Sequence, residues 1–296
     1  MEHGIMDFLM DVLMDTLLDT ARLFPFLFLT YLLMEFLEHH TEAKSLGMLK
    51  KSGKLGPVIG SIAGLFPQCG FSAAAANLYA GRVISMGTLI AVFLSTSDEM
   101  LPMMISNQMP AKTILMILAT KLVVGLVAGL IVDLIIHLMH KDDNAFHIHE
   151  FCETENCHCE NGIFKSALIH SVKVTLFIMV LTFAINYFMA YIGEQGIEYV
   201  TMGETVGIVF LASIVGLIPN CAASVALTQV YMYGALSEGA LIAGLLVGAG
   251  VGLLVLFRVN KRFLENVKIV AILWAVGFLT GCLINLLGIN FLPVTM

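Results

Sequence analysis

The chain has 296 residues, of which 58% are hydrophobic and only 12% are charged, and its formal net charge is −7. A soluble domain has roughly 25% charged residues, and several apolar stretches here reach the roughly 20 residues that cross a bilayer. The composition therefore predicts an all-α polytopic membrane protein, and the lack of a basic patch argues against nucleic acid as a partner.

Residues 1–21 form the first predicted element, an amphipathic helix. Asp7, Asp11, Asp15 and Asp19 recur every fourth residue and share one stripe of this helix, while Met, Leu, Phe and Val occupy the other face. Two interpretations remain open: an interfacial helix with a wet acidic side, and a surface that collects cations or binds a partner. No cleavable signal peptide is expected, because the first residues lack a basic region.

One membrane motif occurs twice. GLFPQCGFS at residues 64–72 recurs 152 residues later as GLIPNCAAS at residues 216–224, and 13 of the 31 positions in residues 64–94 are identical at this offset. A duplicated unit with a proline break in an apolar stretch indicates the substrate site of a transporter. The rest of the chain divides into a first transmembrane repeat at 22–139, a polar linker at 140–165 and a second transmembrane repeat at 166–296.

The repeats contain eight apolar segments, at about 22–38, 57–80, 84–105, 113–138, 166–191, 206–232, 239–257 and 269–288. Pro67 and Pro219 lie inside two of them, and each removes a backbone donor and clashes with the preceding turn. We therefore predict two half-helices in each of these segments, with Cys69 and Cys221 at the start of the second half-helix.

The distribution of positive charges predicts whether the broken segments cross the membrane. If both turn back as re-entrant hairpins, eleven of the twelve Lys and Arg residues in the connecting regions share one side, against nine if both cross. The positive-inside bias favours hairpins and a cytoplasmic linker. The two repeats would then be inverted, which is the arrangement that permits alternating access.

Polar residues at the breaks are candidates for a substrate pathway, because a helix break at membrane depth is tolerated only where protein or water lines a cavity. At the proline breaks the candidates are Gln68, Cys69, Ser72, Asn77, Asn220, Cys221 and Ser224. The positive end of a half-helix favours the thiolate form of a cysteine, which is the form that binds metals. The alternative is that proline only kinks two packed helices and the cysteines fill space.

A second group of candidates lies in the STSDE run, since ionisable residues inside a span usually mark a pathway or a proton relay. The group is Ser95, Ser97, Asp98 and Glu99. The second repeat has GAGV at residues 248–251 instead, so the carboxylates occur once. The alternative is a carboxylate that pairs with Lys121 or Lys173 for packing.

The mixture of hard oxygen donors and soft thiols suits a borderline divalent ion such as Mn²⁺, Fe²⁺ or Zn²⁺. The predicted ligands of the transported metal are Asp98, Glu99, Cys69 and Cys221. A second metal site is predicted in the linker, where six His and Cys donors fall within thirteen residues. They are His147, His149, Cys152, Cys157, His158 and Cys159. This loop would capture or regulate metal, and the alternative is a polar linker without one.

Four motifs resemble one known family: FPQCGFS at 66–72, STSDE at 95–99, GLIPNCAAS at 216–224 and RVNK at 258–261. They are similar to those of a manganese transporter family, also called an arsenic efflux or heavy-metal exporter family, which is distantly similar to organoarsenical permeases. The resemblance covers nearly the whole chain and implies a membrane exporter of heavy-metal ions with about ten spans. Eight segments become ten if each hairpin arm counts separately.

These observations predict a secondary transporter in the plasma (inner) membrane that exports a divalent metal, with Mn²⁺ favoured and protons as the coupling ion. The partners are then membrane lipid, the metal ion and protons, and a homo-oligomer is left open. No Walker, HExxH or GxSxG motif is present, so neither ATP use, nor enzyme activity, nor a cofactor is expected. The alternatives are an efflux permease for arsenicals or other thiophilic species, and a metal-gated channel or sensor.

Overall fold

The computed structural model describes residues 55–66, 69–97, 100–139 and 206–291, together with isolated residues between 10 and 32 and between 164 and 184. The helices of the continuous ranges are α1 (Gly56–Gly64), α2 (Cys69–Ala80), α3 (Met86–Ser95), α4 (Met100–Ser106), α5 (Ala111–Met139), α6 (Val206–Gly216), α7 (Cys221–Met232), α8 (Glu238–Val247), α9 (Gly252–Val259) and α10 (Phe263–Leu287). Within these ranges the chain is helical without a β-strand, which confirms the all-α prediction. All six linker His and Cys residues lie outside the described residues.

Both proline-containing segments are broken as the sequence predicts. α1 ends at Gly64 and α2 begins at Cys69, while α6 ends at Gly216 and α7 begins at Cys221. The two cysteines therefore begin the second half-helices. The breaks lie at equivalent positions, 152 residues apart.

Two further breaks interrupt segments that were predicted without one. In residues 84–105, α3 ends at Ser95, where the hydroxyls of Ser95 and Thr96 donate to the carbonyls of Ala91 and Val92 (2.7 Å each). Of these two carbonyls, that of Val92 is among the last four of the helix, which have no intrahelical partner. In residues 239–257, α8 ends before a glycine-containing turn in which Gly250 has a φ of +53°. Each repeat thus has two broken helices.

The packing of α1 on α3 shows that the first broken segment turns back. A Cβ built at Gly60 would lie 2.9 Å from the Thr88 carbonyl oxygen, and one at Gly64 would lie 2.6 Å from the Val92 carbonyl oxygen. α1 and α3 therefore run in the same direction, so α2 between them must return the chain to the level at which α1 begins. Residues 56–85 form a re-entrant hairpin.

The second repeat has the same geometry. A Cβ at Gly244 of α8 would lie 2.9 Å from the Ala212 carbonyl oxygen of α6, and one at Gly248 would lie 3.6 Å from the Gly216 carbonyl oxygen. α6 and α8 are therefore parallel as well. α7 returns the chain between them and completes a second hairpin.

The last helix of each repeat is long and runs antiparallel to the helix that follows the hairpin. These pairs are α5 with α3 and α10 with α8. The Asp133 carboxylate of α5 accepts bonds from the Gly87 backbone N–H (2.8 Å) and the Ser85 hydroxyl (2.7 Å) at the start of α3. In the second repeat the Gly239 N–H donates to Asn285 Oδ1 (2.9 Å). The duplication therefore extends to contacts beyond the motif itself.

In the part of the chain that the structure describes, four stretches are long and apolar enough to cross a membrane: Met86–Ser106, Ala111–Met139, Glu238–Val259 and Phe263–Leu287. The two broken stretches are 75% and 83% buried inside the protein, whereas α5 and α10 are only 22% and 28% buried. The broken helices therefore form the centre of the molecule and the unbroken ones its apolar outer face. This arrangement is that of a polytopic membrane protein.

Candidate transport site

The two breaks of the first repeat lie side by side. The Ser97 N–H donates to the Gly64 carbonyl (3.3 Å) and the Ser97 hydroxyl donates to the Leu65 carbonyl (2.7 Å). Ser95 and Ser97 are both buried, and their hydroxyls donate to the backbone carbonyls of Ala91 and Leu65. The two hydrogen bonds of Ser97 hold the C-terminal ends of α1 and α3 side by side. Both helix ends place backbone carbonyls at this position.

Several predicted site residues lie outside what the structure describes. Asp98 and Glu99 follow this junction directly, between Ser97 and Met100, and Gln68 falls between α1 and α2. The side chain of Cys69 is also outside the described part, although its backbone begins α2. Their roles stay predictions.

In the second repeat the predicted donors are close to one another. Asn220 and Cys221 are 5% and 6% exposed at the break between α6 and α7. The Ser224 hydroxyl, one turn into α7, donates to the Cys221 carbonyl at 2.8 Å. Ser224 thus bonds within its own helix.

The two repeats meet at the level of their breaks. A Cβ built at Gly252, the first residue of α9, would lie 2.8 Å from Ser72 Cβ of α2 and 2.9 Å from Phe93 Cε1 of α3. A side chain at position 252 would separate the repeats at this point. Ser72, a predicted pathway residue, is fully buried here.

Asn77 is the strongest sign of a polar path inside the described residues. It is fully buried on α2, and neither its Nδ2 nor its Oδ1 has a hydrogen-bond partner among the described residues. A buried amide without a partner costs free energy, on the order of 1–3 kcal/mol. Such a group is expected where water or a ligand supplies the missing bonds.

One polar cluster at the base of the first hairpin was not predicted as a site. Arg82 holds the Glu265 carboxylate through Nη1 (2.6 Å) and Nη2 (2.8 Å), and the Tyr79 hydroxyl donates to Glu265 Oε1. The bond to Glu265 raises the pKa of the Arg82 guanidinium above its ordinary value, so the charge is retained. The sequence feature that could have revealed this cluster is Glu265, an acidic residue in the first turn of an apolar helix.

A second missed residue is Lys121, which the sequence suggested only as a packing partner for a carboxylate. Its side chain is 1% exposed in the middle of α5, and its Nζ donates to the Leu245 carbonyl of α8. A lysine inside a membrane helix is expensive and usually functional. The sequence feature that could have identified Lys121 is its position within an apolar segment.

Among the residues that the structure describes, no three His, Cys, Asp or Glu side chains are grouped to hold a metal. The predicted set of Asp98, Glu99, Cys69 and Cys221 is described only at Cys221, so the metal site stays a prediction.

Paired hairpins and broken central helices define a class, the all-α polytopic membrane proteins whose helix breaks are buried inside the protein. Within that class, the chain belongs to the family described as “Putative, 10TM heavy-metal exporter”, whose sequence model matches residues 5–185. This membership supports metal export in general and implies a transporter instead of an enzyme. No curated protein and no solved structure matches the chain.

Proposed function

We propose that the protein is a secondary transporter that exports divalent heavy-metal ions across the plasma membrane in exchange for protons, with Mn²⁺ the favoured ion. The observation that carries the proposal is the junction of buried helix breaks, together with the fully buried amide of Asn77 on the adjoining helix, which has no hydrogen-bond partner among the described residues. Cations in transporters are coordinated by unwound carbonyls and by the C-terminal ends of half-helices. The family description supports export of a heavy metal.

The proposal includes inverted repeats, which two contacts of α10 support. Glu265 near its start pairs with Arg82 at the base of the first hairpin, and Asn285 near its end bonds to Gly239 beside the base of the second hairpin. The twenty residues between these positions span about 30 Å of helix, which is the thickness of the hydrocarbon core. The two hairpins would therefore open to opposite sides.

The charges of the connecting regions then orient the protein. Arg82, Lys261 and Arg262 lie at the start of α10, whereas Lys112 at the start of α5 lies near its end, since Thr113 bonds to the Phe291 carbonyl (2.7 Å). The basic end is assigned to the cytoplasm by the positive-inside bias. The first hairpin would open inward and the second outward.

In this mechanism the metal ion binds at the first repeat's junction. The carbonyl end of α3 and the adjoining Asp98 and Glu99 would supply oxygen ligands, and Cys69 and Cys221 would supply thiolates. A carboxylate that binds the metal in one state and a proton in the other would couple the two movements. The two hairpins would alternately open the site to each side.

The first experiment is uptake into proteoliposomes with a pH probe inside. We expect wild-type protein to move Mn²⁺ against protons, and the double change Asp98→Asn with Glu99→Gln to lower the rate by about 100-fold or more, because the site loses its charge. The matched control is Glu238→Gln, the same chemical change at the start of α8. A double variant that still exports Mn²⁺ at the wild-type rate would contradict the assignment.

The second candidate function is efflux of anionic or thiophilic arsenicals. It is favoured by one feature, namely that α2 and α7 begin at Cys69 and Cys221, and the positive ends of helices attract anions. An arsenical carrier should survive the carboxylate change. Transport of arsenicals without Mn²⁺ transport in the wild type would favour this candidate.

A further inference from the structure

α2 of the first hairpin and α9 of the second repeat run side by side in the same direction. At one end, a Cβ built at Gly252, which begins α9, would lie 2.8 Å from Ser72 Cβ of α2. At the other end, α9 stops at Val259 and the chain turns into α10, whose Glu265 accepts a hydrogen bond from the Tyr79 hydroxyl of α2. We call this interface, from Ser72 to Tyr79, the seam, and it is about 10 Å long.

The face of α2 that forms the seam carries small side chains except at its base. Ser72, Ala76 and Tyr79 follow one another at intervals of four and three residues, so they share one face of the helix. All three are buried. A serine and an alanine make few dispersion contacts with a neighbouring helix. The cohesion of the seam therefore depends on the contacts at its Tyr79 end.

An ionic cluster closes the seam at this end and joins the two repeats. Arg82, two residues beyond the end of α2, donates through both terminal guanidinium nitrogens to Glu265 of α10, and Tyr79 donates to the same carboxylate. A bidentate pair of this kind is stronger and more directional than a neutral hydrogen bond. Both charged side chains are largely buried. The cluster therefore holds the base of the first hairpin against the start of α10.

Arg82 has a backbone conformation that favours glycine. Its φ is +59°, and the equivalent residue of the second repeat is Gly234, with a φ of +76°. Both positions end their helix in the same way, since the Arg82 N–H donates to the Tyr79 carbonyl and the Gly234 N–H to the Tyr231 carbonyl (2.9 Å each). Glycine adopts this turn without strain. The side chain of Arg82, and not its backbone, thus explains an arginine at this position.

We propose that Tyr79, Arg82 and Glu265 form a latch that closes the transport path at one end. Release of the latch lets α2 move away from α9 and exposes the seam as far as Ser72. In the orientation proposed above, the latch lies on the cytoplasmic side, from which the metal ion enters. The inference rests on the proposed function, because it assumes a path through which a substrate passes. Its direct consequence, the exposure of Ser72, needs no substrate.

The test measures how fast a water-soluble maleimide labels the seam. Ser72→Cys is introduced into the full-length protein, whose six native cysteines are replaced by serine, in lipid nanodiscs. With the latch intact we expect slow labelling, because Ser72 is fully buried. Arg82→Gly and Glu265→Gln should each raise the rate by about tenfold or more, since labelling follows the population of the open state. Tyr79→Phe removes one hydrogen bond and should give a smaller rise.

Two controls separate a latch from a general loosening of the protein. Glu238→Gln makes the same chemical change at the start of α8 and should leave the rate at position 72 within about twofold of its value with the latch intact. Ser224→Cys reports on the equivalent position of the second hairpin. Its labelling rate should not rise when the latch is broken.

Equal labelling of position 72 with the latch intact and with the latch broken would overturn the inference. A rise at both position 72 and position 224 would also overturn it, because the cluster would then only stabilise the fold. If Arg82→Gly does not fold, Glu265→Gln and Tyr79→Phe decide by the same criteria. A protein that shows the expected labelling but does not transport Mn²⁺ refutes the proposed ion and leaves the latch standing.

Discussion

At the scale of single residues, equivalent tyrosines in the two repeats differ in their hydrogen bonds. Tyr79 and Tyr231 are equivalent and both are buried, but the Tyr79 hydroxyl donates to Glu265 while the Tyr231 hydroxyl has no hydrogen-bond partner among the described residues. The hydrogen bonds differ because the residues that form the cluster with Tyr79 are not repeated around Tyr231. Thr113 stands at the position equivalent to Glu265, and Gly234 stands at the position equivalent to Arg82. Among the described residues, the ionic cluster therefore joins the two repeats at the Tyr79 end, without a counterpart at Tyr231.

We predict that Glu265→Gln lowers the free energy of unfolding by about 1–3 kcal/mol, since hydrogen bonds to charged groups contribute that much and both side chains are largely buried. Thermal unfolding of the detergent-purified protein measures this as a lower midpoint. Glu238→Gln is the control and should change the midpoint little. Equal effects of the two substitutions would contradict a specific role for the cluster.

At the scale of helices, glycines allow the backbones of α3 and α5 to touch. A Cβ built at Gly129 would lie 2.5 Å from the Gly87 carbonyl oxygen, and Gly281 has the same relation to Gly239 in the second repeat. Helices in lipid associate through such close van der Waals contact at small residues. These glycines recur at the 152-residue offset, so the sequence already contained this packing pattern.

Gly129→Ala should therefore separate α3 from α5 and destabilise the protein by about 1–3 kcal/mol, the usual cost of added volume in a close-packed contact. Val127→Leu adds volume on the exposed face of the same helix and should be nearly neutral. Thermal unfolding of both variants distinguishes a packing effect from a general intolerance of α5 to substitution. A wild-type midpoint for Gly129→Ala would show that the helices can adjust.

At the scale of the whole molecule, the family description gives ten spans. The eight apolar segments of the sequence become ten when each hairpin arm is counted separately. The charge pattern predicted the hairpins, and the parallel packing of α1 with α3 and of α6 with α8 agrees with it.

The inverted arrangement predicts which turns face each side. Single cysteines would be placed in a variant whose six native cysteines are replaced by serine. We expect an impermeant thiol reagent to label positions 83 and 261 from the cytoplasmic side and positions 107 and 233 from the outside. Labelling of positions 83 and 233 from the same side would exclude inverted repeats.

The sequence by itself determined the class, the duplication and the proline breaks, because hydrophobicity and the missing proline donor act locally and can be read along the chain. The breaks after Ser95 and Val247 were not predicted, because hydroxyl bonds to a helix end and glycine-containing turns are weak signals in apolar sequence. The hairpins required both the sequence and the structure. The charge count predicted that the broken segments turn back, and the contacts between parallel helices showed how they do so.

Only the tertiary structure decided which distant residues are partners. Arg82 and Glu265 are 183 positions apart and Lys121 and Leu245 are 124 apart, and no local pattern encodes such pairs. Nor could the sequence distinguish Tyr79 from Tyr231, since the motif around them is shared. Their difference arises from helices contributed by the other repeat, because the energy of a buried polar group depends on the partner that folding brings to it.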